Sequence, residues 1–167
     1  MRGAQWFDPS GVLLKEKRDT ESRLAKEAED ARQKKIKERE DEEARRRKQD
    51  ELKAKAAELL DAEKSAIVFC PDKPTCDKAF SLTQIYLNQT SDMKIQVATD
   101  TIVETYNPTE DGKLGLKAIR VPGKGTSAAI TLTATCKDER GQYVEVCRLG
   151  KILAYKGFRP FVEQMLK

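Results

Sequence analysis

From Asp8 to about Lys64 the chain is polar or charged at almost every position, and its apolar residues are too sparse to form a stripe. Glu, Asp, Lys, Arg, Ala and Gln dominate, with no Gly or Pro from Val12 to Lys64. Most of these are strong helix formers, and over so long a window their summed propensity predicts a helix. Acid-before-base pairs recur at i,i+4: Asp30/Lys34, Asp41/Arg45, Glu42/Arg46, Glu43/Arg47 and Glu51/Lys55. Each stabilises an isolated helix by ~0.2–0.5 kcal/mol, so a ladder of them supports a helix with nothing packed on it. Asp8-Pro9 starts it, a capping acid followed by proline at the first helical position. Roughly 50 residues at about 1.5 Å each give a rod about 75–80 Å long. The larger apolar residues are Leu24, Ile36, Leu52, Leu59 and Leu60. Leu52 and Leu59 are a heptad apart, but the rest keep no a/d register, which argues for a solitary charged helix. A weak coiled coil around Leu52–Leu60, with weak self-association, stays open as the alternative. Val12-Leu13-Leu14 is the apolar cluster nearest the start. Residues 1–7, with Trp6 and Phe7, are expected to be a flexible end. The alternative is an aromatic anchor for a partner or a membrane surface.

The pattern changes at Ser65. Ala66-Ile67-Val68-Phe69-Cys70 is a short apolar run and predicts a buried strand. After a loop with two prolines, Asp77 to Gln89 predicts a helix with Ala79, Phe80, Thr83, Tyr86 and Leu87 on one face and Leu82 close by. From Lys94 the pattern turns to β. Lys94–Ala98 alternates, and Thr101–Tyr106 is β-branched and aromatic. Asn107–Gly112 is a turn, and Leu114 to Val121 is the return strand. Pro122–Ser127 is a loop. Ala128–Cys136 alternates, with Ile130, Leu132, Ala134 and Cys136 on one side and threonines on the other. Tyr143–Cys147 is expected to pair back as a strand across the turn at Glu139–Gly141. Arg148–Gly157 is ambiguous. Phe158-Arg159-Pro160 is expected to start a last helix that buries Phe161, Val162, Met165 and Leu166. The predicted fold class is α+β: a long charged helix over 8–64, then a domain over 66–167 with an antiparallel sheet of about four strands and two helices.

Only about 100 residues remain for the domain core, and domains of that size gain from covalent staples. All four cysteines, Cys70, Cys76, Cys136 and Cys147, lie in it. Four cysteines allow three connectivities, of which Cys70–Cys76 with Cys136–Cys147 is the most economical. Both loops are short and contribute roughly 2–3 kcal/mol each on the chain-entropy model. The formal net charge is +4, from 32 basic and 28 acidic residues, with the signs interspersed. No one-sided basic face emerges, so no nucleic-acid partner is expected. No apolar run reaches the ~18 residues that predict a membrane span. The start lacks the apolar core of a signal peptide. Two readings remain, a cytosolic protein or a chain whose true start lies upstream, and the cysteines favour the second.

Candidate chemistry is sparse. The chain has no histidine, which removes the commonest general base, the Ser/His and Cys/His nucleophile pairs and His-containing zinc sites. Cys70-x5-Cys76 and Cys136-x10-Cys147 are not the short spacings that hold zinc, so no metal site and no cofactor are expected. Gly123-Lys124-Gly125-Thr126 lacks the full phosphate-loop spacing and reads as a hairpin loop. Asp100, Glu104, Glu110 and Asp111 lie near strand ends with nothing to pair two of them in a pocket. Arg45-Arg46-Arg47-Lys48 comes after four acids from Glu40 to Glu43 and reads as a solvated helix face. Asn88-Gln89-Thr90 fits a glycosylation triplet of a kind common by chance. No catalytic residue is assigned and no enzyme is expected.

The stretch from Lys15-Glu16-Lys17-Arg18 to Glu51-Leu52-Lys53-Ala54-Lys55-Ala56-Ala57, continued by the cysteine-bearing domain, resembles the TolA/TonB-type cell-envelope proteins. Those have a long Lys/Glu/Ala/Arg helix crossing the periplasm and a small C-terminal α+β domain, which in TolA-like cases carries a disulfide. The resemblance implies a place in the bacterial periplasm or cell envelope and carries over no functional residue. The expectation is a structural or adaptor protein: the helix is a spacer, and the domain binds a protein partner through its sheet edge or exposed face. The loops around Cys70–Cys76 and Pro122–Ser127 are the expected contacts. The alternative is a cytoplasmic or phage assembly subunit that uses the helix as a coiled-coil or docking element.

Overall fold

The computed structural model describes residues 9–137 and 141–167, with side chains from residue 15. The expected cap at Asp8, the end at residues 1–7, the side chains of Val12-Leu13-Leu14 and most of the turn at Glu139–Gly141 lie outside the described residues. The chain divides into two units, one ending at Leu52 and one spanning Lys53–Lys167.

Helix α1 runs Pro9–Ser65, 57 residues. Within the first unit every described side chain is exposed, Leu24, Ile36 and Leu52 included. Local forces therefore hold this part of the helix. Arg47 meets Glu43 at 2.6 Å and Gln33 donates to Glu29 at 3.0 Å. Arg45 donates instead to the backbone carbonyl of Asp41, at 3.2 Å.

The second unit opens with the last turns of α1. Its sheet holds β1 (Ile67–Cys70), β2 (Ile95–Ala98), β3 (Ile102–Thr105), β4 (Leu114–Pro122) and β5 (Ala128–Cys136). The strand order is β1-β5-β4-β3-β2, every neighbour antiparallel. Strands β2 to β5 form a meander, and β1 adds on the far side of β5 as a fifth strand. Helices α2 (Lys73–Thr90) and α3 (Val144–Leu166) cover one face. The core lies between them and the sheet, built from Val68, Val103, Leu116 and Ile130 beneath Leu87, Phe158 and Val162. On α2 the expected residues Ala79, Phe80, Thr83, Tyr86 and Leu87 are all buried. Ile130, Leu132 and Ala134 alternate inward along β5 as their spacing predicts.

Helix α2 starts four positions before the expected Asp77. The side chain of Asp72 accepts the Thr75 N–H at 2.8 Å, and proline sits in the first turn. The segment read as a proline loop is therefore a capped helix start. A larger correction concerns the C-terminus. Tyr143–Cys147 is not a strand: Val144 opens a helix of 23 residues that continues through the ambiguous stretch and past Pro160. Cys147, Ala154, Tyr155, Phe158 and Val162 recur at helical spacing and are buried, and that packing overrides the β-branched start. Met165, expected inside, is 53% exposed. Phe161 and Leu166 pack against the core margin. Gly157 has a specific reason: a Cβ there would stand 2.7 Å from the Tyr86 hydroxyl, which donates to the Ala154 carbonyl at 2.6 Å.

A side chain stands in for part of the sheet ladder. The buried Thr105 hydroxyl oxygen accepts the Leu116 N–H at 2.8 Å. Thr105→Val keeps the shape and strands that buried donor. The expected loss is about 1–3 kcal/mol, seen as a lower urea midpoint with an unchanged slope.

Candidate protein-binding site

The two loops that the sequence nominates are neighbours. In the ladder Cys70 pairs with Ala128, and Ala128 pairs with Pro122. The disulfide loop and the β4–β5 hairpin loop therefore meet at one end of the sheet. Cys70 is disulfide-bonded to Cys76, and Cys136 to Cys147, the local pairing. The hairpin loop closes through Gly123 N–H to the Ser127 carbonyl at 2.9 Å, and Gly125 takes φ +66°. Only glycine adopts that conformation readily.

On the face of the sheet away from α2 and α3, apolar residues gather at this end. Phe69, Ala129 and Val121 stand side by side across three strands. The next row is Ile67, Thr131, Ile119 and Ile102. Beyond it Lys117 and Glu104 form an ion pair at 3.1 Å, and the face turns polar. Phe69 is 72% exposed. The reading of 66–70 as a buried strand holds for Val68 and Cys70, which point in, and not for Phe69, which points out. A hollow of about 600 Å³ lies beside it, walled by Phe69, Pro71, Val121, Pro122 and Ala129.

Strand β1 is also an edge. Leu132 N–H bonds the Ala66 carbonyl at 3.3 Å, continuing the β1–β5 ladder. Alternate residues of an antiparallel strand turn their backbone groups to opposite sides. Val68 and Cys70 thus face β5, and the N–H and C=O of Ile67 and Phe69 face outward. Where β1 has ended, the open side of β5 is closed by Tyr155, whose hydroxyl oxygen accepts the Ala134 N–H at 3.0 Å. The opposite edge, β2, is bulged between Ile95 and Val97, which spoils it as a template.

Charges frame the inner side of the same end. Arg120 meets Asp77 at 2.7 Å, and Lys73 meets it at 2.8 Å. Hydrogen bonds from Lys73 and Arg120 hold the Asp77 carboxyl below the usual carboxylate range. The Thr75 N–H does the same to Asp72. Lys73, Asp77 and Arg120 border a cleft of about 640 Å³ with Thr99, Asp100 and Thr126 on its walls. The other acids singled out in the sequence are dispersed: Glu104 pairs with Lys117, Asp111 pairs with Lys137, and Glu110 is exposed. Among the described residues no group of three His, Cys, Asp or Glu side chains is arranged to hold a metal ion.

No family model matches the chain, and comparison with curated proteins and with solved structures finds no match.

Two disulfides suit an oxidising compartment. Among the described residues no helix is long and apolar enough to cross a membrane. Sequence reasoning missed the exposed Phe69 and the Arg120–Asp77 pair. A four-residue run gives too few positions to read alternation, and a pair 43 residues apart leaves no local trace.

Proposed function

We propose that this protein is a non-enzymatic adaptor of the bacterial cell envelope, with the charged helix as a spacer and the domain binding an extended segment of a partner protein along β1. The observation that carries the reading is the outward edge of β1 beside an exposed Phe69. The outward N–H and C=O groups of Ile67 and Phe69 offer main-chain pairing, and the hollow beside them takes an apolar side chain of the added strand. The paired cysteines support an oxidising location, and the long self-supporting helix supports a spacer role.

The test is a photo-crosslinking residue placed at position 69 in the chain in the periplasm. A discrete protein adduct is expected from position 69 and not from position 96 on β2. Val121→Glu, which puts a charge into the hollow, should reduce that adduct roughly tenfold. Equal adducts from both edges, or none from position 69, would overturn the binding mode. Four alkylatable thiols in protein taken from its own compartment without reductant would overturn the envelope location.

A further inference from the structure

The two disulfides are not equivalent. Cys70 and Cys76 are both buried, at the start of a helix already fixed by its Asp72 cap and a first-turn proline. Cys147 is buried, but its partner Cys136 is partly exposed at the end of β5. The helix it anchors has no side-chain cap: Tyr143 occupies the cap position and makes no capping hydrogen bond. The first turns of α3 also hold the last turns of α1. Arg148 reaches Glu58 at 2.7 Å and Glu145 at 2.6 Å, and Lys55 reaches Glu145 at 3.7 Å. Leu59 and Ala62 enter the core beside them.

We propose that Cys136–Cys147 is a thiol-sensitive latch, opened by a dithiol reductant, that controls the docking of α1 residues 55–62 on α3. The proposal stands apart from the binding reading of β1. A thiolate of the reductant attacks the accessible Cys136 sulfur, the S–S bond breaks, and Cys147 leaves as a thiolate that takes a proton from water. The second thiol of the reductant resolves the mixed disulfide, and its proton goes to Cys136. Two electrons pass to the protein pair, and the reductant leaves as a disulfide. Access governs which bond exchanges first, and an uncapped helix start frays once its tether is cut. The turn that frays carries Glu145 and Arg148, so the end of α1 loses its ion pairs with it.

The experiment uses the full chain in dithiothreitol, quenched at intervals with iodoacetamide and mapped by peptide mass. Cys136 and Cys147 are expected to become alkylated roughly tenfold faster than Cys70 and Cys76. Hydrogen exchange on the singly reduced species should rise at residues 55–62 and 144–148 and stay unchanged in α2. Equal rates, a first opening at Cys70–Cys76, or unchanged protection at 55–62 would each overturn the latch. Cys136→Ser/Cys147→Ser should show the same exchange pattern without reductant. If that variant does not fold, the time course on the native chain decides.

Discussion

Removing both disulfides, as Cys70→Ala/Cys76→Ala together with Cys136→Ala/Cys147→Ala, is expected to lower the stability of the folded unit by about 5 kcal/mol. The bonds close loops with sequence separations of 6 and 11, and the chain-entropy model assigns roughly 2–3 kcal/mol to each. The two sites share no strand or helix end, so the losses should add. A domain of this size has a net stability of about 5–15 kcal/mol, and the variant therefore approaches the unfolding threshold at physiological temperature. The expected fall in Tm is about 20 °C, at roughly 4 °C per kcal/mol. Near-UV circular dichroism of the tyrosines reads it, because all four, Tyr86, Tyr106, Tyr143 and Tyr155, lie in the second unit. A fall below about 5 °C would show that folded contacts, not the cross-links, limit the unfolded chain. The four single-cysteine variants would leave a free thiol each and confuse the result by exchange, so the paired changes are the informative ones.

The parts of this architecture that were legible in the sequence are those whose cause is local. Helix α1 before Leu52 is held by propensity and i,i+4 pairs, and the sequence displays both. Strand β5 alternates over nine residues, enough for the period to speak. Of helix α3 only the last turns, from Phe158, were legible. Its start, Val144-Glu145-Val146, alternates like a strand, and Gly150, Gly157 and Pro160 break up the helical sequence pattern of the rest. Gly157 has a tertiary reason, since the Tyr86 hydroxyl stands where its side chain would go, and the helix is held by the buried face that Phe158 and Val162 present. The candidate site divides the same way. Its two loops were visible as proline and glycine signals, but the ladder that sets Cys70, Ala128 and Pro122 side by side is a long-range fact. So is the role of the last turns of α1. Glu58 looks like any solvated helix acid until Arg148, 90 positions later, is placed on it.

The two phenylalanines 69 and 158 should respond to truncation in opposite ways. Phe158 is 0% exposed, with its ring 5.4 Å from that of Tyr86. Phe158→Ala removes a large apolar surface and leaves a cavity between α2, α3 and the sheet, where helices already in close contact at Gly157 cannot collapse freely. The expected cost is about 3–5 kcal/mol. That corresponds to a Tm lowered by roughly 12–20 °C, measurable by calorimetry. Phe69 is a residue of the same type in the same unit, yet most of its surface is already in water. Phe69→Ala should change stability by no more than about 0.5 kcal/mol, because little burial is lost. A folded chain has no stability reason to keep an exposed aromatic ring on an open strand edge, beside an apolar hollow. If Phe69→Ala unfolds the domain as Phe158→Ala does, the ring is part of the core and the edge is not a binding site. With the photo-crosslinking residue moved to position 121, the same adduct should form in the parent chain and vanish when Phe69→Ala is added. If stability holds while that adduct disappears, the ring belongs to the partner's interface.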